Sequence, residues 1–169
     1  MENELPKRKP TRLRDFDYNS SGAYFITICT ENRRQILSHI VGGDVLDAPK
    51  STELLLCGKI ADKYINQLND FYDNIKVDKY VIMPNHIHIM LFVSEDGASR
   101  TSPPTRQHSV VSQFVSTFKR FCNKEYGCNI WQRHFNDHII RNRKDYEEHL
   151  RYIYENPTRW YYDELYAEE

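Results

Sequence analysis

His86 and His88 stand two apart in Tyr80-Val81-Ile82-Met83-Pro84-Asn85-His86-Ile87-His88-Ile89-Met90-Leu91, an otherwise mostly apolar run rich in β-branched residues. Side chains of a strand alternate between its faces, so the two imidazoles project together while Ile87, Ile89 and Leu91 project the other way into a core. Such a pair can hold a metal ion, but it needs at least one further donor from elsewhere in the chain. The opposing reading, two half-buried histidines satisfied by ordinary hydrogen bonds, is the commoner fate of an isolated His-x-His. By ligand type alone, imidazole suits zinc.

The last predicted helix, about Asp145 to Asn156, offers the missing donor. Successive residues step by about 100° around a helix, which gathers Tyr146, Leu150 and Ile153 on one packed face. His149, Tyr152 and Asn156 run along its border, with Tyr152 and Asn156 one turn apart. Docked beside the histidine strand, this helix would bring Asn156 Oδ1 to a metal and the Tyr152 phenol close by. Asn156 reads equally well as a helix-terminal residue before Pro157, and Tyr152 as an amphipathic tyrosine at the core edge. A tyrosine beside a divalent metal is a nucleophile for a phosphodiester, because the metal polarises the phosphate and a covalent phosphotyrosine splits the transfer into two steps. The phenol ionises near pH ~10 when unperturbed, so positive charge from Arg151, Lys144 or the metal would assist it.

The elements that must position these groups are legible from periodicity. Ala23 to Thr30 predicts a strand, and residues 31–51, broken by Gly42-Gly43 and Pro49, a short hairpin or irregular excursion. Helical spacing starts at Thr52 and continues through Leu55, Leu56, Ile60, Tyr64, Leu68 and Phe71. Val77 to Met83 and His86 to Val93 predict two strands joined by a turn at Pro84-Asn85. Ser94 to His108 reads as a surface loop, Ser109 to Tyr126 as a helix stopped by Gly127, and Asp145 with Glu148 as the capping pattern of the last helix. The order strand, helix, strand, strand, helix predicts an α+β fold, a ferredoxin-like (RRM-like) sandwich with an antiparallel sheet and helices on one face. At 169 residues the chain suits one domain, residues 16–169, preceded by a basic arm over residues 1–15.

Composition excludes wholesale disorder, since 40% of residues are hydrophobic and 13% aromatic. Four cysteines without a CxxC pair, no apolar leader and no spanning stretch predict a reduced cytoplasmic protein with no membrane partner. The net charge of −1 hides local asymmetry. Arg12 and Arg14 in the arm, and Lys119, Arg120, Arg133, Arg141 and Arg143 later, are candidate phosphate contacts. Trp131 is a candidate for base stacking, although a core position is the commoner use of such a residue. His138 and His149 are candidates for supporting the metal site or a phosphate, against the plainer reading of surface histidines.

The segments MPNHIHIML and IWQRHFNDHIIRNRKDYEEHLRYIYENP resemble the single-tyrosine HUH transposases of the insertion-sequence-200-like superfamily, and within it the REP-associated tyrosine transposases. The likeness runs from about Tyr24 to Pro157. It implies that His86, His88 and Asn156 are ligands of Mg²⁺ or Mn²⁺ and that Tyr152 is the catalytic tyrosine. It further implies cleavage and strand transfer on single-stranded DNA with hairpin or repeat sequence, through a 5′-phosphotyrosine and a free 3′-hydroxyl, in a nucleoid-associated bacterial-type protein. After Pro157 the chain departs from the family pattern with Thr158-Arg159-Trp160-Tyr161-Tyr162. Whether a homodimer forms, and whether Tyr152 acts in cis or in trans, is left open. A non-catalytic DNA-hairpin-binding module of the same fold is the alternative function, and a metal-dependent RNA-processing enzyme a third.

Overall fold

A computed structural model describes residues 21–42, 50–94 and 109–167. The sheet is built from β1 (Gly22–Cys29), β4 (Ile75–Ile82), β5 (His86–Val93) and β6 (Asn136–Ile140), in the order β4-β5-β1-β6 with every pair antiparallel. Helix α1 (Leu56–Phe71) connects β1 to β4, α2 (Val110–Tyr126) connects β5 to β6, and α3 (Arg143–Glu155) follows β6. This is the ferredoxin-like α+β arrangement expected. The Arg12 and Arg14 arm and most of the Ser94–His108 loop lie outside the described residues. Among the described residues no helix is long and apolar enough to cross a membrane.

Period-two alternation divides the sheet. Tyr24, Ile26 and Ile28 of β1, with Ile87, Ile89 and Leu91 of β5, enter the main core against α1 and α2. Phe25 and Met90 face the opposite side, where Ile153 of α3 closes a second, smaller cluster. The expectation of helices on one face therefore holds for α1 and α2, and α3 takes the other. Buried on both sides, β5 can be apolar almost throughout and still carry its histidines on one face.

Local departures have local causes. A hairpin of β2 (Ser38–Val41) and β3 (Ser51–Leu54) does occupy the excursion after β1, but β3 takes residues assigned to the helix, which starts only at Leu56. Strand pairing there outweighs helical spacing. The cap of α3 is Asn142, not Asp145: Asn142 Oδ1 accepts from the Asp145 N–H at 3.0 Å, and Asp145 reaches back to the Arg141 N–H at 2.9 Å. The capping-box logic holds one turn earlier, with Asp145 as its third-position acid. Strand β6 escaped the reading because Asn136, Asp137 and His138 give a five-residue edge strand no hydrophobic alternation. The predicted ends of α2 are observed, with Ser109 Oγ accepting from the Ser112 N–H and Gly127 at φ 90°.

Helix α1 meets the β1–β2 segment at a point that tolerates no side chain. A Cβ on Gly58 would sit 2.0 Å from the Leu37 carbonyl oxygen, which already accepts from the Leu55 N–H at 2.9 Å. Gly58→Ala must push helix and segment apart, with an expected loss of about 2–3 kcal/mol in urea unfolding. An unfolding midpoint equal to the parent's would refute this close approach.

Candidate active site

Both histidines of β5 are fully covered, and each ring is held from behind. Asn85 Nδ2 donates to the Leu165 carbonyl, which turns Asn85 Oδ1 toward His86 Nδ1 at 2.8 Å. That acceptor requires a proton on Nδ1 and leaves the lone pair on Nε2. His88 Nδ1 lies 2.8 Å from Thr27 Oγ1, a contact the β1–β5 register creates by setting Thr27 opposite His88. The rings stand edge to face, 4.5 Å between centroids. Burial, with the nearby Arg33 charge, pushes the His86 imidazole down to about 3. Burial and the neighbouring His86 push His88 well below its ordinary value too. Both rings are therefore neutral near pH ~7, the form that binds metal.

Helix α3 brings the other predicted groups to this spot. The Tyr152 ring lies 5.1 Å from that of His88, and Phe25 packs against both. Asn156, one turn on, is buried and donates from Nδ2 to Asp163 Oδ2 at 2.8 Å. The Tyr152 hydroxyl donates to the same oxygen at 2.8 Å. Burial, that hydrogen bond and the Asp163 charge raise the Tyr152 phenol well above its ordinary value. A cavity of about 630 Å³ opens over His88, Tyr152, Asn156 and Asp163.

Asp163 was missed in the sequence. It sits eleven residues beyond Tyr152, after a short 3-10 turn at Trp160–Tyr162, in a tail whose acidity hid any single carboxylate. A carboxylate oxygen of Asp163 and ring nitrogens of His86 and His88 all lie within 4.8 Å of one another.

The donor set fits a divalent cation. His86 Nε2, His88 Nε2 and Asn156 Oδ1 are buried without a hydrogen-bond partner. An orphaned buried polar atom costs about 1–3 kcal/mol, so three beside one carboxylate mark a place shaped for a positively charged partner. Mixed imidazole, amide and carboxylate donors suit first-row divalent ions.

Other candidates fall elsewhere. His138 and His149 both turn to Asp145, at 3.0 and 3.1 Å, and stack on each other. His149 lines the cavity and, like His88, packs on the Phe25 ring. Neither backs His86 or His88, and Asn85 and Thr27 do so instead. Trp131 is buried against Phe118 in the main core, which removes it as a base-stacking surface. Lys119 donates to the carbonyls of Gln132, Arg133 and His134, so it braces a turn and is not free for phosphate. Arg120, Arg133, Arg141 and Arg143 are exposed, Arg143 in an ion pair with Glu147 at 2.8 Å. The cysteines are free, Cys29, Cys57 and Cys122 among them buried as small apolar residues.

No protein-family model matches the chain. Across 95% of its length it is 28% identical to an uncharacterised Haemophilus influenzae protein, 94% of which is covered. Across 84% it is 27% identical to a REP-associated tyrosine transposase of Escherichia coli, covering 70% of that protein. A solved REP-associated tyrosine transposase bound to a REP hairpin shares the fold, with a TM-score of 0.59 and 22% identity over 88% of this chain and 74% of that one. In sequence and in fold the chain is therefore similar to the REP-associated tyrosine transposases, the family its histidine strand and final helix resemble.

Proposed function

We propose that this chain is a transposase that cuts and rejoins single-stranded DNA beside hairpin or repeat sequence, with Tyr152 as nucleophile. The observation that carries this reading is the meeting of two unpartnered buried donors, on His88 and Asn156, with the Tyr152 phenol and Asp163 at one cavity, while His86 joins them through ligand atoms within 4.8 Å of those of His88 and Asp163. These donors would hold Mg²⁺ or Mn²⁺, which when bound polarises the phosphate and offsets its charge. The hairpin-bound relative supports a DNA hairpin as partner.

In the first step Tyr152 Oη attacks the phosphorus and the bond from phosphorus to the 3′-oxygen breaks. The phenolic proton leaves to solvent, which reaches the partly exposed Tyr152. The departing oxygen takes up a proton to become a 3′-hydroxyl, and the 5′-phosphate stays esterified to Tyr152. Attack by a 3′-hydroxyl on that ester rejoins DNA and returns the phenol. Exposed Arg133 and Arg141 would contact backbone phosphate, adding affinity without sequence information.

The test is a labelled single-stranded oligonucleotide carrying a foldback hairpin from DNA flanking the gene. With Mn²⁺ or Mg²⁺ a denaturation-resistant protein–DNA adduct and a free 3′-hydroxyl fragment should form, and with chelator neither. Hairpin binding that persists in chelator, with no cleavage in either metal, would instead establish a non-catalytic hairpin-binding module. Cleavage that needs a ribose at the scissile position would point to RNA processing.

A further inference from the structure

Asp163 is the most connected side chain of the site. Its Oδ2 accepts from both the Tyr152 hydroxyl and Asn156 Nδ2, each at 2.8 Å, and its Oδ1 accepts from the Leu165 N–H at 2.7 Å. The turn that carries it is pinned. Trp160 is buried beside the His86 ring, 5.9 Å between centroids, and the Asp163 N–H donates to the Trp160 carbonyl at 3.0 Å. Asn85 Nδ2 and Gln35 Nε2 hold the carbonyls of Leu165 and Ala167 just beyond. The carboxylate is thus placed with the same care as the histidines.

Arg159 lines the same cavity but is paired with Glu155. Among the described residues Asp163 forms no ion pair with a lysine, arginine or histidine, and it faces two neutral imidazoles, an amide and a phenol. A carboxylate in such company is stable when a cation joins it. Three neutral donors alone would leave a divalent ion's charge wholly uncompensated by protein.

Resting on the cation reading above, we propose that Asp163 is the anionic donor of that site, beside His86, His88 and Asn156, and that the ion competes with the Tyr152 hydroxyl for it. The two hydrogen bonds on Oδ2 occupy both of its lone-pair directions. Ligation by that oxygen therefore requires one donor to leave. Asn156 Oδ1 is already unpartnered while its Nδ2 holds Asp163, so the donor that leaves is the Tyr152 hydroxyl, and its departure frees the nucleophile. Loading the ion and releasing the phenol then become one event.

The test is Mn²⁺ affinity of the full chain without DNA, by calorimetry and by electron paramagnetic resonance of free Mn²⁺. Asp163→Asn keeps the shape and an acceptor oxygen but removes the charge, and should weaken Mn²⁺ at least tenfold. Tyr152→Phe removes only the competing hydroxyl, and should tighten Mn²⁺ about fivefold, the equivalent of one ordinary hydrogen bond. Parental affinity in Asp163→Asn, while His88→Ala loses binding, would overturn Asp163 as a donor and leave the cation site standing. Unchanged or weaker binding in Tyr152→Phe would overturn the competition. Parental affinity in His88→Ala would overturn the cation site itself.

Discussion

Tyr152→Phe should form no covalent adduct with a cleavable hairpin oligonucleotide, a loss on the order of 10⁴-fold or more, while binding the same DNA as tightly as the parent. The size follows from removing a nucleophile that no neighbour can replace. Tyr146 is committed to Asp78, donating at 2.6 Å, and that contact with burial pushes its phenol up to about 12. Tyr154 is well exposed and has no ring contact with His88 like that of Tyr152. Stability should change by about 1 kcal/mol or less, since the lost hydroxyl makes one hydrogen bond near the surface and the ring remains. Gel analysis of the adduct beside a thermal melt separates the two effects. An adduct surviving at parental yield would remove Tyr152 from the chemistry.

His88→Leu should abolish stabilisation by Mn²⁺ while leaving the metal-free protein about as stable as before. Mn²⁺ at a hundredfold above its dissociation constant should stabilise the parent by about 2.7 kcal/mol. For a domain of this size that is a rise of roughly 5–10 °C in melting temperature. The leucine removes a buried nitrogen that has no partner, which is favourable by about 1–3 kcal/mol, and strands Thr27 Oγ1, which is unfavourable by a similar amount. A fully buried residue is thus exchanged near neutrality in chelator, and the whole cost emerges with metal. Melts in Mn²⁺ and in chelator check both signs. A Mn²⁺ shift equal to the parent's would deny the cation site its second imidazole.

These two expectations draw on opposite kinds of information. The pairing of His86 with His88, and of Tyr152 with Asn156, was legible because each follows from a single repeat, two residues in a strand and four in a helix. Cap residues and turn chemistry marked α2 and the Pro84-Asn85 turn for the same reason. Residues whose role depends on a partner far along the chain were not legible. Lys119 and Trp131 carry the side chains of a nucleic-acid surface, yet packing turns one to three carbonyls and the other into the core. Strand β6 has no pattern of its own and is a strand because β1 offers it an edge.

By itself the sequence determined the family resemblance, the ferredoxin-like order of elements, and the four residues to be brought together. Tertiary structure decided which side of the sheet receives α3, which residues back the imidazoles, and that Asp163 joins the Tyr152 hydroxyl to the candidate ligands. The physical reason is range. Backbone periodicity fixes neighbours within one element, whereas Thr27 meets His88 across 61 residues and Asn85 reaches the Leu165 carbonyl across 80. Such contacts exist only once strand register and the closing tail have been set by burial of the whole core.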